Sequence, residues 1–409
     1  MLFRPDINLF HLLGWRNSKE VTASDELLIS ESGQYFPDFH PLLTIDNVKS
    51  IAPDFKDYAF DEWEEKSYKI GDLVNYNTQG YKCIKATEDS PEDSEDWAET
   101  DPLSEWILTK TKASTLKLLR TFFNQKLINK TANSILESRV LFEGAGRIAD
   151  LVPNTGHLVG FEITPIRAKG VTLRIEKIGT QFVGTDSITL YLFNSENKDS
   201  IQTIEITRGK NSSMEWSAQE IYLPFNEFGG TWFLLYDQNQ APMAVNKDKD
   251  WSQAPCTCSK LEYSSYITWS KYVDIMPFRV NGTTDEMFDI VDVVHTPSTN
   301  YGLNIQFSLL CDLTDIIEEQ RDMFTNLIGL QVAIDFLREF AYNPQFRLTR
   351  GTENFNRNEI LYELDGTPEK KGGLTYELSQ ALKAVDIDIS GIYSVCMPCK
   401  NGGIKYKAT

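Results

Sequence analysis

Val171-Thr172-Leu173-Arg174-Ile175-Glu176 places apolar side chains at every second position, and Ile188-Thr189-Leu190-Tyr191-Leu192 repeats the pattern after a turn. A period of two marks a strand with one buried face. Further strands are predicted at Ile201–Thr207, Glu220–Phe225 and Thr231–Tyr236, separated by Gly, Asn, Ser and Asp turn residues. Short alternating strands at such spacing predict an antiparallel sandwich of jelly-roll type, placed at 142–280 and entered through the loop Phe142-Glu-Gly-Ala-Gly146.

Outward from this block the period changes. Upstream, over 111–139, Leu116, Leu119, Phe123, Leu127, Ile128, Ile135 and Leu136 recur at three-and-four spacing, with Lys117, Arg120, Lys126 and Lys130 on the other side. That pattern predicts a connecting helix with a basic outer face, within a segment bounded at 109–141. Downstream, Leu313, Ile316, Ile317, Phe324, Leu327, Ile328, Val332, Phe336 and Phe340 predict one long helix, or two broken near Gly329. Another helix is expected at Leu374–Ala384, so 281–409 reads as a helical C-terminal domain ending in a CxxC tail. The first 60 residues read as an arm or small cap. The fold class is therefore multi-domain, β-rich α+β: a small β-hairpin module, a jelly-roll-like sandwich and a helical C-terminal part.

At 409 residues the chain is long enough for several cores. Its 40 basic and 59 acidic side chains give a formal charge of −19, which repels phosphate backbones, and no Lys/Arg stripe offsets it. Nucleic acid is not expected as a partner. No run of 18 apolar residues occurs, so no membrane insertion is expected. Met1-Leu-Phe-Arg-Pro-Asp6 lacks the basic start and apolar run of a secretory signal, so synthesis in the cytoplasm is the expectation.

Between 61 and 108 the chain changes character. Ile70–Tyr76 and Gly80–Lys85 are strand-like runs joined by Asn77-Thr78-Gln79, a hairpin by spacing and turn residues. From Glu88 to Glu105 there are nine acidic residues and no Lys or Arg, the composition of a solvated loop. The order Trp63, Tyr68, Gly71-Asp72, Val74, Tyr76, Gly80-Tyr81, Cys83, Pro91, Trp97 resembles the chitin-binding-type carbohydrate-binding modules appended to chitinases and to many phage tail proteins. The resemblance covers about 35 residues, and the spacing before Tyr81 is shorter than in that family. It implies that Trp63, Tyr68, Tyr76, Tyr81, Trp97 and Trp106 dock a glycan or a protein partner. The competing reading is that these aromatics hold a tiny core together, since so small a unit buries little else. No added aromatic in the second strand or the acidic loop supplies an obvious stacking platform.

Motifs that carry chemistry are sparse. Histidines 11, 40, 157 and 295 form no ligand pair, Gly-x-Ser-x-Gly is absent, and Gly144-Ala-Gly-Arg lacks the P-loop pattern. Paired acids such as Asp61-Glu62 and Glu64-Glu65 lie in exposed runs where nothing holds them across a cleft. Cys256-x-Cys258 and Cys396-x-x-Cys399 together would supply the four thiolates of a structural zinc site; isolated thiols kept reduced are the alternative. No other cofactor is indicated.

The order of arm, small module, sandwich and helical end resembles structural proteins of tailed phages, and the sequence style resembles those of phages infecting Bacteroidetes. This resemblance implies a non-enzymatic virion component of the neck, tail or baseplate, made in the host cytoplasm, assembling with other virion proteins and with copies of itself in a symmetric ring. The alternative is a glycan-binding or receptor-binding tail protein, or an accessory subunit of a polysaccharide hydrolase.

Overall fold

A computed structural model describes residues 3–396 apart from 5–6, 8, 18–25, 53–59, 78, 86, 88, 92–94, 128–133, 166–168, 210–211, 226–229, 242, 248–269, 271, 344–356, 367–371, 391 and 393–395. The chain divides into two compact units. One comprises 1–7, 128–316 and 388–409, the other 8–127 and 317–387.

The second unit begins with a three-stranded sheet of β1 (Leu13–Arg16), β2 (Glu26–Leu28) and β3 (Gln34–Tyr35). Trp15 of β1 is fully buried against Phe36 and, edge-on, Phe336, and its indole Nε1 donates to Thr111 Oγ1 at 3.0 Å. Thr111 lies on a 25-residue helix, Pro102–Lys126, whose start is fixed by Asp101 accepting from Ser104 N and by Pro102 at the first turn. This helix starts earlier and ends earlier than the periodicity predicts. Ile135 and Leu136 belong instead to a strand of the other unit, because two β residues at adjacent positions satisfy either period over so short a run.

The helix Thr325–Tyr342 packs on the first, and Lys117 Nζ meets Asp335 Oδ1 at 2.5 Å across the pair. It is continuous through Gly329. A Cβ there would sit 2.3 Å from the Phe39 ring, so this glycine is a packing requirement and not a break; the interruption comes at the 3-10 turn Arg321–Phe324. Leu374–Ala384 is helical as expected.

The small module is a four-stranded sheet in the order β4-β5-β6-β7, from β4 (Asp61–Glu62), β5 (Leu73–Tyr76), β6 (Gln79–Cys83) and β7 (Trp97–Thr100). Asn77 supplies the positive φ (50°) that the β5–β6 hairpin requires.

The first unit holds two larger sheets. A four-stranded sheet runs β13-β10-β17-β8, from β8 (Ser134–Val140), β10 (Val171–Thr180), β13 (Glu215–Phe225) and β17 (Leu303–Cys311). A six-stranded sheet runs β12-β11-β14-β9-β15-β16, from β9 (Leu158–Pro165), β11 (Ser187–Asn194), β12 (Gln202–Thr207), β14 (Trp232–Asp237), β15 (Val273–Val280) and β16 (Val294–His295). Every pairing in both is antiparallel. The sheets meet through Phe182, edge-on to Tyr236 at 5.4 Å, and through the Tyr236 hydroxyl, which donates to the Tyr301 carbonyl. The β-structure thus extends past the 142–280 block at both ends. The last strand, Leu303–Cys311, lies in the part predicted helical, and its apolar alternation Leu303, Ile305, Phe307, Leu309 is fully buried.

One cross-link was not foreseen. Cys311, at the end of β17, and Cys396 form a disulfide with their Cα atoms 5.6 Å apart, both side chains fully buried. This corrects the expectation of reduced thiols at these two positions.

Candidate functional site

Two aromatics of the small module are buried in its core. Tyr68, Val74, Cys83 and Trp97 form its core, with Trp63 and Tyr81 partly buried against them. Tyr68 stacks edge-on to Trp97 at 5.1 Å and its hydroxyl donates to Glu64 O; Trp97 Nε1 donates to Asp89 O. Tyr76 meets Trp63 edge-on, and Trp106, on the long helix, meets Phe336 edge-on with Lys110 over its ring. Of the six aromatics singled out in the sequence, Tyr68 and Trp97 are buried and Trp63, Tyr76, Tyr81 and Trp106 are half-buried; none is among the exposed large side chains. Among the described residues, the module's exposed large aliphatic side chains are Ile70, ahead of β5, and Ile84, just after β6.

The zinc set does not assemble from Cys396, whose sulfur is bonded to Cys311; a disulfide sulfur is not a thiolate ligand. Cys256, Cys258 and Cys399 lie outside the described residues. Among the described residues no three His, Cys, Asp or Glu side chains converge as a metal set. His40 contacts Glu363 at 2.9 Å and His295 contacts Glu162 at 2.6 Å, each an isolated pair.

The most organised polar surface lies elsewhere, on the outward face of the four-stranded sheet. Inward, Leu173, Ile175, Leu223, Phe307 and Leu309 are buried. Outward, Tyr222, Arg174 and Ser308 are direct cross-strand neighbours on β13, β10 and β17. Irregular register occurs beside this row on all three strand pairs: between Ile175 and Lys177 on β10 against both neighbours, and around Ser308 where β17 meets β8. Bulges re-aim side chains. Here they bring Glu220, Glu176 and Ser138 to the row.

The result is one hydrogen-bonded chain across four strands. Tyr222 Oη donates to Glu220 Oε1 at 2.7 Å; Arg174 bonds the Tyr222 oxygen and donates to Glu176 Oε1 at 2.6 Å. Ser308 Oγ donates to Glu176 Oε1 at 2.5 Å, Ser138 Oγ donates to Glu176 Oε2 at 2.8 Å, and Gln306 Nε2 donates to Ser138 Oγ at 2.5 Å. Partial burial works to raise the Glu176 pKa, but bonds from Ser308, Arg174 and Ser138 and the Arg174 charge outweigh it, so the carboxyl lies below its usual range. For Tyr222, burial and the Glu220 carboxylate push the phenol up to about 12. Near neutral pH Glu176 is a fixed acceptor and Tyr222 a fixed donor, so neither is poised to exchange a proton.

No family model, curated protein or solved structure matches this chain.

Further along the same face, Trp216 is exposed at 39% and rests on Gly179, where an added Cβ would lie 3.1 Å from two indole carbons. Beside the row, at the edge between β12 and β13, a shallow groove of about 400 Å³ is lined by Ile201, Gln202, Glu220, Tyr222 and Trp232, among others. Sequence reading missed this surface because Arg174, Glu176 and Tyr222 look like the ordinary solvent side of alternating strands. The signal that they act together is the aligned bulges, which need the strand pairing to be known. No helix among the described residues is long and apolar enough to cross a membrane.

Proposed function

We propose that the chain is a non-enzymatic structural subunit of a tailed-phage virion, in the neck, tail or baseplate, with a jelly roll as its body. The observation that carries this reading is strand order. Taking β8 as first and β17 as eighth, with β15 and β16 as an added pair beside β9, the sheets run 6-3-8-1 and 5-4-7-2. That is the winding of a jelly roll, an arrangement used by viral capsid domains and by lectins. Fold alone does not fix function. Two further features support the assembly reading: the small module buries Tyr68 and Trp97 in its own core, and Glu176 and Tyr222 are each held in one protonation state near neutral pH, suited to binding rather than to proton transfer.

A virion subunit assembles around an axis, so it should form a closed oligomer. Native mass spectrometry and light scattering of the purified full chain test this, together with peptide mapping of purified particles from the host phage. A single closed stoichiometry and recovery of the chain from particles are expected. A monomer at every concentration, with the chain missing from particles, overturns the proposal.

A further inference from the structure

The outward face of the four-stranded sheet carries two features side by side: an exposed indole laid on a glycine, and a row of hydrogen-bonding groups. We infer that this face is a binding site for a neutral oligosaccharide, lying along β13 with one ring stacked on Trp216 and its hydroxyls directed to Glu220, Tyr222 and Glu176.

Each part of the argument is chemical. A sugar ring presents a flat C–H face and a rim of hydroxyls, so it needs an open aromatic plane and nearby groups that both donate and accept. Trp216 is the exposed tryptophan on this face, and Gly179 beneath it leaves no Cβ to tilt the indole. Residue 179 lies opposite 216, three residues along β10 from Glu176, which places the platform roughly 10 Å from the row at the usual strand rise. An extended chain of more than one ring spans that gap; a single small molecule does not. The row supplies the Glu220 and Glu176 carboxylates, the Tyr222 phenol and the exposed Ser138 hydroxyl, with the buried Ser308 holding Glu176 in place. Arg174 is already bonded to Glu176 and Tyr222, with Glu220 beside it, so the row itself offers no unmatched positive charge; the exposed Lys177, between the row and Trp216, stands next to the Glu176 and Glu220 carboxylates, which oppose an anionic glycan. With a chain charge of −19, polyanions are further disfavoured. The aligned bulges make the groups converge in register, as a binding surface requires and an ordinary solvent face does not.

This site is built on β8, β10, β13 and β17 and shares no residue with the small module. The test is affinity electrophoresis of the full chain through gels cast with dextran, glucomannan, galactomannan or hydroxyethyl cellulose, with polygalacturonate and heparin as anionic gels. Retardation by at least one neutral polymer and by neither polyanion is expected. Trp216→Ala should weaken it at least tenfold and Tyr222→Phe by less, while Trp106→Ala leaves it unchanged. Circular dichroism confirms that each variant is folded, and Trp216→Phe, which keeps an aromatic plane, should retain most of the binding. Absence of retardation in every neutral gel, equal retardation by the polyanions, or binding indifferent to Trp216→Ala in a folded protein overturns the inference.

Discussion

The two large sheets treat their outward faces in opposite ways. On the six-stranded sheet, Leu158, Phe193, Phe233, Leu235, Phe278 and Val280 are sealed beneath Phe288, with Met287 and Val293 packed alongside. On the four-stranded sheet the corresponding face is left to Arg174, Glu176, Tyr222, Ser308 and the open Trp216. Both sheets carry a buried inner face, so neither treatment is forced by the need for a core. One face is closed with aromatic packing, which adds stability. The other keeps a costly set of partly desolvated polar groups, each held by partners, and so keeps specificity available at its surface.

The contrast can be broken most severely on the sealed side. Phe278 is fully buried between Phe233 and Phe288, and Phe278→Ala should cost about 3–5 kcal/mol in urea unfolding through the lost burial and the cavity left behind. On the polar side the effect is smaller and depends on pH. Arg174→Ala removes donors from Glu176 and should cost about 1.5–3 kcal/mol at neutral pH. Because the folded Glu176 carboxyl lies below its ordinary value of 4.5, its contribution is present above that pH and is lost as pH falls through the lowered folded value. Glu176→Gln should therefore flatten the acid limb of the stability curve, and an acid limb identical to that of the parent chain would count against the row being a coupled network. The smallest change is Tyr222→Phe, about 1 kcal/mol, with a phenolate signal near pH 12 disappearing from an ultraviolet titration.

How much of this could be read in the chain follows the same division. Alternation at Val171, Leu173 and Ile175 and at Ile188, Leu190 and Leu192 marks strands that the structure contains, because a half-buried strand must alternate. The hairpin around Asn77 was legible from its turn chemistry. Leu303–Cys311 alternates too, but it stands beside a strongly helical stretch and its partners β10 and β8 are distant in sequence, so local pattern did not assign it to the sheet. The polar row was hidden for a related reason. Nothing in Arg174-Ile-Glu176 says that a bulge follows, or that Ser308 and Tyr222 flank it. Tyr68 and Trp97 left two readings open, docking and a tiny core, because residue type serves either; their packing places both in the module's core.

The bond between Cys311 and Cys396 spans 85 positions, and the stretch it encloses contains the whole of 317–387, the second pass of the chain through the other compact unit. Covalently, that pass is part of a closed ring joined at Cys311 and Cys396. A protease that cuts once within it does not release a fragment; the two pieces stay joined until a reductant separates them. The same ring means that the C-terminal segment is carried with β17, so the integrity of the polypeptide at this end is a matter of oxidation state as much as of peptide bonds.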